Sequence, residues 1–152
     1  AEALVGKAIG ARDPDGFRRA VRRTLAWSLG FGALFSLAFW IAGPAIVRTL
    51  TSLPEIRAAA LEYLPWMILL PLISVWSFFY DGVFVGATLS REMRVVMTIT
   101  ALLVFVPVWF FTRDLGNHGL WLAFTAFMVM RGLGMHIWFN RLKETLAHGH
   151  TT

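Results

Sequence analysis

Apolar residues fall in long blocks along this chain, and short polar stretches separate them. The longest block, Leu64 to Arg91 (LPWMILLPLISVWSFFYDGVFVGATLSR), holds a single carboxylate before its terminal arginine, Asp81. A run of more than about 20 such residues is long enough to cross the ~30 Å hydrocarbon core of a bilayer as a helix. No soluble arrangement of it avoids exposing Trp, Phe and Leu all round. Three further blocks have the same character: Leu25 to Val47, Val95 to Phe111 and Leu120 to Trp138. The pattern predicts helices over 17–50, 54–89, 93–111 and 118–142. Residues 1–10 read as the end of a helix already in progress, and with no initiator Met or signal peptide the expectation is a piece of a longer protein.

The polar interruptions supply the ends. Asp13, Pro14, Asp15 and Gly16 carry turn and helix-start chemistry, and Ser52 is placed to cap a helix whose early residues include Pro54 and Glu55. Gly43-Pro44 should kink or end the first complete span. Gly30, Gly32 and Gly43 would let neighbouring helices approach closely. Pro65 and Pro71 each remove a backbone bond from the central helix and should bend it, with a cavity as one consequence. Ser90 to Arg94 is a charged turn, and TRDLGNHG, from Thr112, is a loop.

Composition narrows the class. Hydrophobic residues make up 57% of the chain and charged residues 15%, against about 25% charged in an average soluble domain. The polar surface needed to stay in water is missing. There is no cysteine, so neither disulfides nor thiolate metal sites are available, and the 13 Phe and 7 Trp suit a lipid boundary. The fold class is an all-α polytopic transmembrane helix bundle, with four complete spans plus the end of a preceding helix.

The net charge of +5 would suit nucleic acid only if basic residues were interleaved with aromatics on a soluble face. Here they gather at helix ends. Lys7, Arg12, Arg18, Arg19, Arg22, Arg23, Arg91, Arg94, Arg141 and Lys143 fall on one side, and Arg48, Arg57 and Arg113 on the other. Cytoplasmic loops are enriched in Lys and Arg, so the expectation is a cytoplasmic C-terminus and basic residues against an anionic leaflet.

Two charges remain inside the spans. Asp81 lies nine residues before Ser90 and Arg131 ten before Arg141, about 13 and 15 Å from the same boundary at ~1.5 Å per residue. Matching depth predicts that both face the bundle interior and are coupled, directly or through water. Either they form a fixed bridge holding two helices in register, or the carboxylate takes up and releases a cation whose binding the arginine tunes. Ser77 and Ser74 share the Asp81 face more nearly than Tyr80 does, and all three are candidate cavity or ligand oxygens. Nothing points to soluble catalysis or a resident metal: there is no phosphate loop and no zinc-binding HExxH. His118, His148 and His150 are expected to be exposed bystanders, and His136 a packed or hydrogen-bonded residue.

EYLPWMILLPLISVWSFFYDGVFVGATLSREMR, followed by GNHGLWLAF and MRGL, resembles the C-terminal part of the MATE transporters, the multidrug and toxic compound extrusion family, in its DNA-damage-inducible (DinF-type) branch. ALVGKAIGARD resembles the end of that family's eighth helix and the loop after it. The resemblance implies that 1–10 ends helix eight and that the four spans are helices nine to twelve of a two-lobed, twelve-helix transporter of the bacterial inner membrane. It implies export of organic compounds in exchange for protons or sodium ions by alternating access, with no further cofactor. Asp81 stands where sodium-coupled members have an acidic residue of the cation site. Other acidic residues of the family lie on its first and seventh helices, so the N-terminal lobe and helices seven and eight would be required partners. A lipid-linked precursor flippase, a non-transporting membrane scaffold and an integral-membrane transferase are the alternatives.

Overall fold

The computed structural model describes residues 1–148, with side chains over residues 1–140. Arg141, Lys143 and His148 are therefore described by backbone alone, and His150 lies outside the described residues. Six α-helices follow one another: α1 (Glu2–Gly10), α2 (Pro14–Leu50), α3 (Pro54–Gly86), α4 (Ser90–Thr100), α5 (Val106–Thr112) and α6 (Asn117–His148). A π-helical segment, Ala101–Phe105, fuses α4 to α5, and a 3-10 turn, Arg113–Leu115, precedes α6. No strand occurs among the described residues. Four stretches are long and apolar enough to cross a membrane: Pro14–Leu50, Pro54–Gly86, Ser90–Leu115 and Asn117–Asn140.

Local chemistry sets the ends, and in places it differs from the sequence expectation. Asp13 caps α2, its Oδ1 accepting from the Gly16 amide at 2.8 Å, with Pro14 in the first turn. Ser52 does not cap α3. The N-cap is Leu53, without a side-chain bond, and Thr51 Oγ1 accepts the Leu53 amide at 3.2 Å instead. Gly43-Pro44 does not end α2, which runs on to Leu50, and α3 continues through Pro65 and Pro71. α3 stops at Gly86, three residues before the expected end, because Thr88 takes a left-handed φ of 59° and the Leu89 amide turns back to the Phe84 carbonyl at 2.8 Å. Upstream of Pro107, whose ring crowds the carbonyl four residues back, the ladder widens so that the Val106 amide reaches the Ala101 carbonyl.

α3 is the axis of the bundle and touches α1, α2, α4 and α6. Among the spans it is also the most enclosed, with 33% of its apolar window buried against 11% for Ser90–Leu115. The buried core gathers where α1, α2, α3 and α6 meet, around Val5, Phe17, Tyr80, Phe84, Met135 and Phe139. Elsewhere large apolar side chains point outward, Trp40 at 68% and Phe111 at 79% exposed. Water would penalise that surface and lipid does not.

Missing side chains allow the close approaches. A Cβ on Gly32 would stand 3.1 Å from the Pro71 carbonyl, and one on Gly43 2.8 Å from Leu64. Gly30 faces open space with nothing within 4 Å, so it does not share their packing role. On the opposite flank Gly86 lies under the α1 backbone, where a Cβ would meet the Glu2 carbonyl at 2.5 Å. Backbone cannot yield there as a flexible side chain could. Gly86→Ala is expected to lower stability by about 1–3 kcal/mol, whereas Gly30→Ala should raise it by about 0.5–1 kcal/mol. Reversible unfolding of the purified protein in mixed micelles measures both.

Candidate functional site

α3 and α6 carry the two charges predicted to lie inside the bundle, and the structure brings them into direct contact. Arg131 Nη2 donates to Asp81 Oδ2 at 2.5 Å. The Arg131 side chain is 6% exposed and that of Asp81 22%, so Asp81 is the less enclosed member of the pair. The Arg131 guanidinium also lies 6.0 Å from the Phe127 ring centroid, within reach of the ring's negative face. Asp81 Oδ1 and Arg131 Nε are buried with no hydrogen-bond partner among the described residues. A carboxylate has about four acceptor positions. Here one oxygen is held by the arginine, and the buried other one leaves its acceptor positions unused among the described residues.

One turn back on α3, Ser77 points the same way. It is fully buried, and its hydroxyl donates to the Met128 carbonyl on α6 at 2.7 Å. Gly132 makes this approach possible, since a Cβ there would come within 2.6 Å of Trp76 Cδ1 and 3.2 Å of Ser77 Oγ. The remaining candidates separate. Ser74 turns to the other side, into a cavity of about 600 Å³ lined also by Phe31, Pro71 and Phe78, between α2, α3 and the start of α1. Pro65 lies exposed on the α3 surface, while Pro71 forms part of that cavity wall. Tyr80 is 2% exposed and packs against Trp76, Phe79 and Phe139, its hydroxyl paired with His136 Nδ1 at 2.5 Å. Asn140 Nδ2 meets the other ring nitrogen of His136 at 3.2 Å.

His136 is thus hydrogen-bonded, as expected from the sequence. His118 is not the bystander expected. It joins α6 to α3 through Trp66 Nε1 at 3.1 Å and Glu62 Oε1 at 3.1 Å. Sequence spacing alone offers no signal for either contact, because the partners lie 52 and 56 residues away. The GNHG stretch was the one available hint that His118 occupies a built corner. Among the described residues no cluster of three or more His, Cys, Asp or Glu could hold a metal ion.

The seam between α3 and α6 is therefore tight where the ion pair sits. Gly132→Ala should force the rigid Trp76 ring away and cost about 1–3 kcal/mol. Thermal unfolding measures the loss, and Gly132→Ser should fare no better than Ala, since any Cβ meets the same ring.

Comparison with known proteins places this chain in a family. The MatE family model matches residues 1–111. The chain is 41% identical over 142 residues to DNA damage-inducible protein F of Escherichia coli (strain K12), a match covering 88% of this chain and 29% of that protein. The chain thus spans less than a third of the length of the curated relative it matches. No solved structure matches it. Four membrane-length apolar helices and a family match over most of the chain lead to one conclusion: this is a multi-pass membrane protein that belongs to the MatE family.

Proposed function

We propose that this chain is the C-terminal part of a secondary antiporter, supplying helices nine to twelve, and that Asp81 is its exchangeable cation site. The observation that carries the reading is the half-used carboxylate. Asp81 Oδ2 is held by Arg131, while Oδ1 is buried with no hydrogen-bond partner among the described residues. A purely structural bridge would be expected to satisfy both oxygens, because an unmet buried acceptor costs about 1–3 kcal/mol. A site that must receive a cation has a reason to leave one open.

In this reading Arg131 and the incoming proton or sodium ion compete for one carboxylate. With the cation absent, the arginine neutralises Asp81 and draws α6 onto α3. With the cation bound, the arginine loses its counter-charge and the seam between the two helices relaxes. Alternating access needs such a pair of discrete arrangements, each favoured by a different occupant. Organic compounds would be the exported substrates, the inner membrane the location, and the cytoplasm the side of the C-terminus and of the Arg18–Arg23 cluster. The N-terminal lobe and helices seven and eight complete the transporter, whose work is translocation and not a chemical reaction.

Drug efflux in cells carrying the full-length transporter tests this, with membrane insertion checked in every variant. Asp81→Asn should abolish efflux while the protein still inserts; unchanged efflux would sink the reading. Leaving Arg131 buried without its counter-charge should also cost about 3–5 kcal/mol. The double variant Asp81→Asn, Arg131→Gln removes both charges and should recover much of that stability. If the pair is only a tether, efflux returns with stability; if Asp81 carries the cation, efflux stays lost.

A further inference from the structure

GNHG builds a corner at the start of α6. Gly116 adopts a φ of +58° that other residues rarely tolerate, and Asn117 opens the helix. Gly119 lies against the Thr112 carbonyl with no room for a side chain, and Thr112 Oγ1, 2.6 Å from the Val108 carbonyl to which it donates, also lies 3.2 Å from the Gly119 carbonyl. Between the two glycines His118 is held out toward α3. This end of the bundle lies opposite the one that carries Arg18 to Arg23, because α2 separates the two ends.

The partners of His118 fix its tautomer. An indole N–H can only donate, so His118 Nδ1, 3.1 Å from Trp66 Nε1, must present its lone pair. His118 Nε2 therefore carries the hydrogen and donates to Glu62 Oε1 at 3.1 Å. One neutral form satisfies both contacts. A second proton has only Nδ1 to bind, where it would set N–H against N–H and break the Trp66 bond, while the Glu62 contact persists as an ion pair. His136 differs in that its Nδ1 partner, the Tyr80 hydroxyl, can donate or accept, while Asn140 must turn its amide to offer oxygen in place of Nδ2 before Nε2 can carry a proton without losing that bond.

We propose that His118 is a second proton site of this protein, at which protonation and the Trp66 bond between α3 and α6 exclude one another. The side chains of His118 and Glu62 are 42% and 57% exposed, so protons reach them from solvent. From α3 the groups facing the imidazole are Glu62 and Tyr63, whose ring centroid is 4.8 Å away. On the preceding turn Arg113 lies 4.9 Å from the Phe110 ring centroid and 4.0 Å from Asp114, so that turn adds an already paired charge. The helices joined here are the two that carry Asp81 and Arg131. Release at His118 frees α3 to move against α6, and this consequence rests on the antiporter reading of Asp81.

The test is nuclear magnetic resonance of the full-length protein in nanodiscs with nitrogen-labelled tryptophan and histidine. The Trp66 indole signal is assigned by its loss in Trp66→Phe. Between about pH 8 and about pH 5, the range in which histidine titrates, the Trp66 proton should move upfield as its acceptor is lost. Its midpoint should coincide with that of the His118 Nδ1 signal. His118→Gln keeps both contacts, accepting from Trp66 through its amide oxygen and donating to Glu62 through its amide nitrogen, and should hold the Trp66 signal still. A static signal in the unmodified protein, different midpoints for Trp66 and His118, or an unchanged titration in His118→Gln would each overturn the proposal. The coincidence of midpoints decides the matter even if His118→Gln does not fold. This readout needs no transport: if Asp81→Asn leaves efflux intact, the antiporter reading falls while the Trp66 titration stands or fails by itself.

Discussion

A guanidinium and a carboxylate buried among apolar helices cost far less as a pair than apart, and the arrangement of α3 against α6 follows from that. Moving either ion out of water is expensive, and the attraction between them offsets the cost only when contact is direct and further hydrogen bonds support it. Arg131 reaches Asp81 because Ser77 and Gly132 bring the helices close one turn away. Widening the seam would separate the charges in a medium that does not forgive it. Packing and electrostatics are here one constraint.

That constraint was partly legible in the sequence. The spans follow from the length of apolar runs, and the coupling of Asp81 with Arg131 follows from equal depth, because rise per residue converts sequence distance into position along the bilayer normal. What depth does not supply is azimuth. Three glycines in one span look alike as letters, yet Gly32 and Gly43 meet α3 while Gly30 faces outward. Ser74 and Ser77 are likewise neighbours on one helix, and three residues of rotation send one to α6 and the other into the cavity beside α2. A helix in lipid is apolar all round, so the usual signal of which face is buried is weak.

The His118 contact was hidden for a second reason. Spacing arguments find partners within one helix, and Glu62 and Trp66 belong to another. The glycines around His118 reported a corner without saying what it faced. The π-helical segment before Pro107 was illegible in a similar way: a proline announces a disturbed ladder, but whether the ladder kinks, stops or widens depends on which nearby carbonyls find donors.

The two faces of α3 are built from different physics. Against α2 the contact is close apolar packing, Gly32 under the Pro71 carbonyl and Gly43 under Leu64. Such contacts are numerous, short-ranged and lost all at once, so they hold a helix pair as a rigid unit. Against α6 the seam carries polar contacts: Trp66 to His118, Ser77 to the Met128 carbonyl, Tyr80 to His136 and Arg131 to Asp81. Each has a defined donor and acceptor, and two of them, at His118 and Asp81, include the groups proposed above to take up a proton or cation. At the buried contacts of Ser77, Tyr80 and Arg131 there is no competing water to blur the difference between a made bond and a broken one. A bundle that must rearrange in response to a cation would be expected to place its apolar packing where it stays together and its exchangeable polar contacts where it parts, and α3 has one of each.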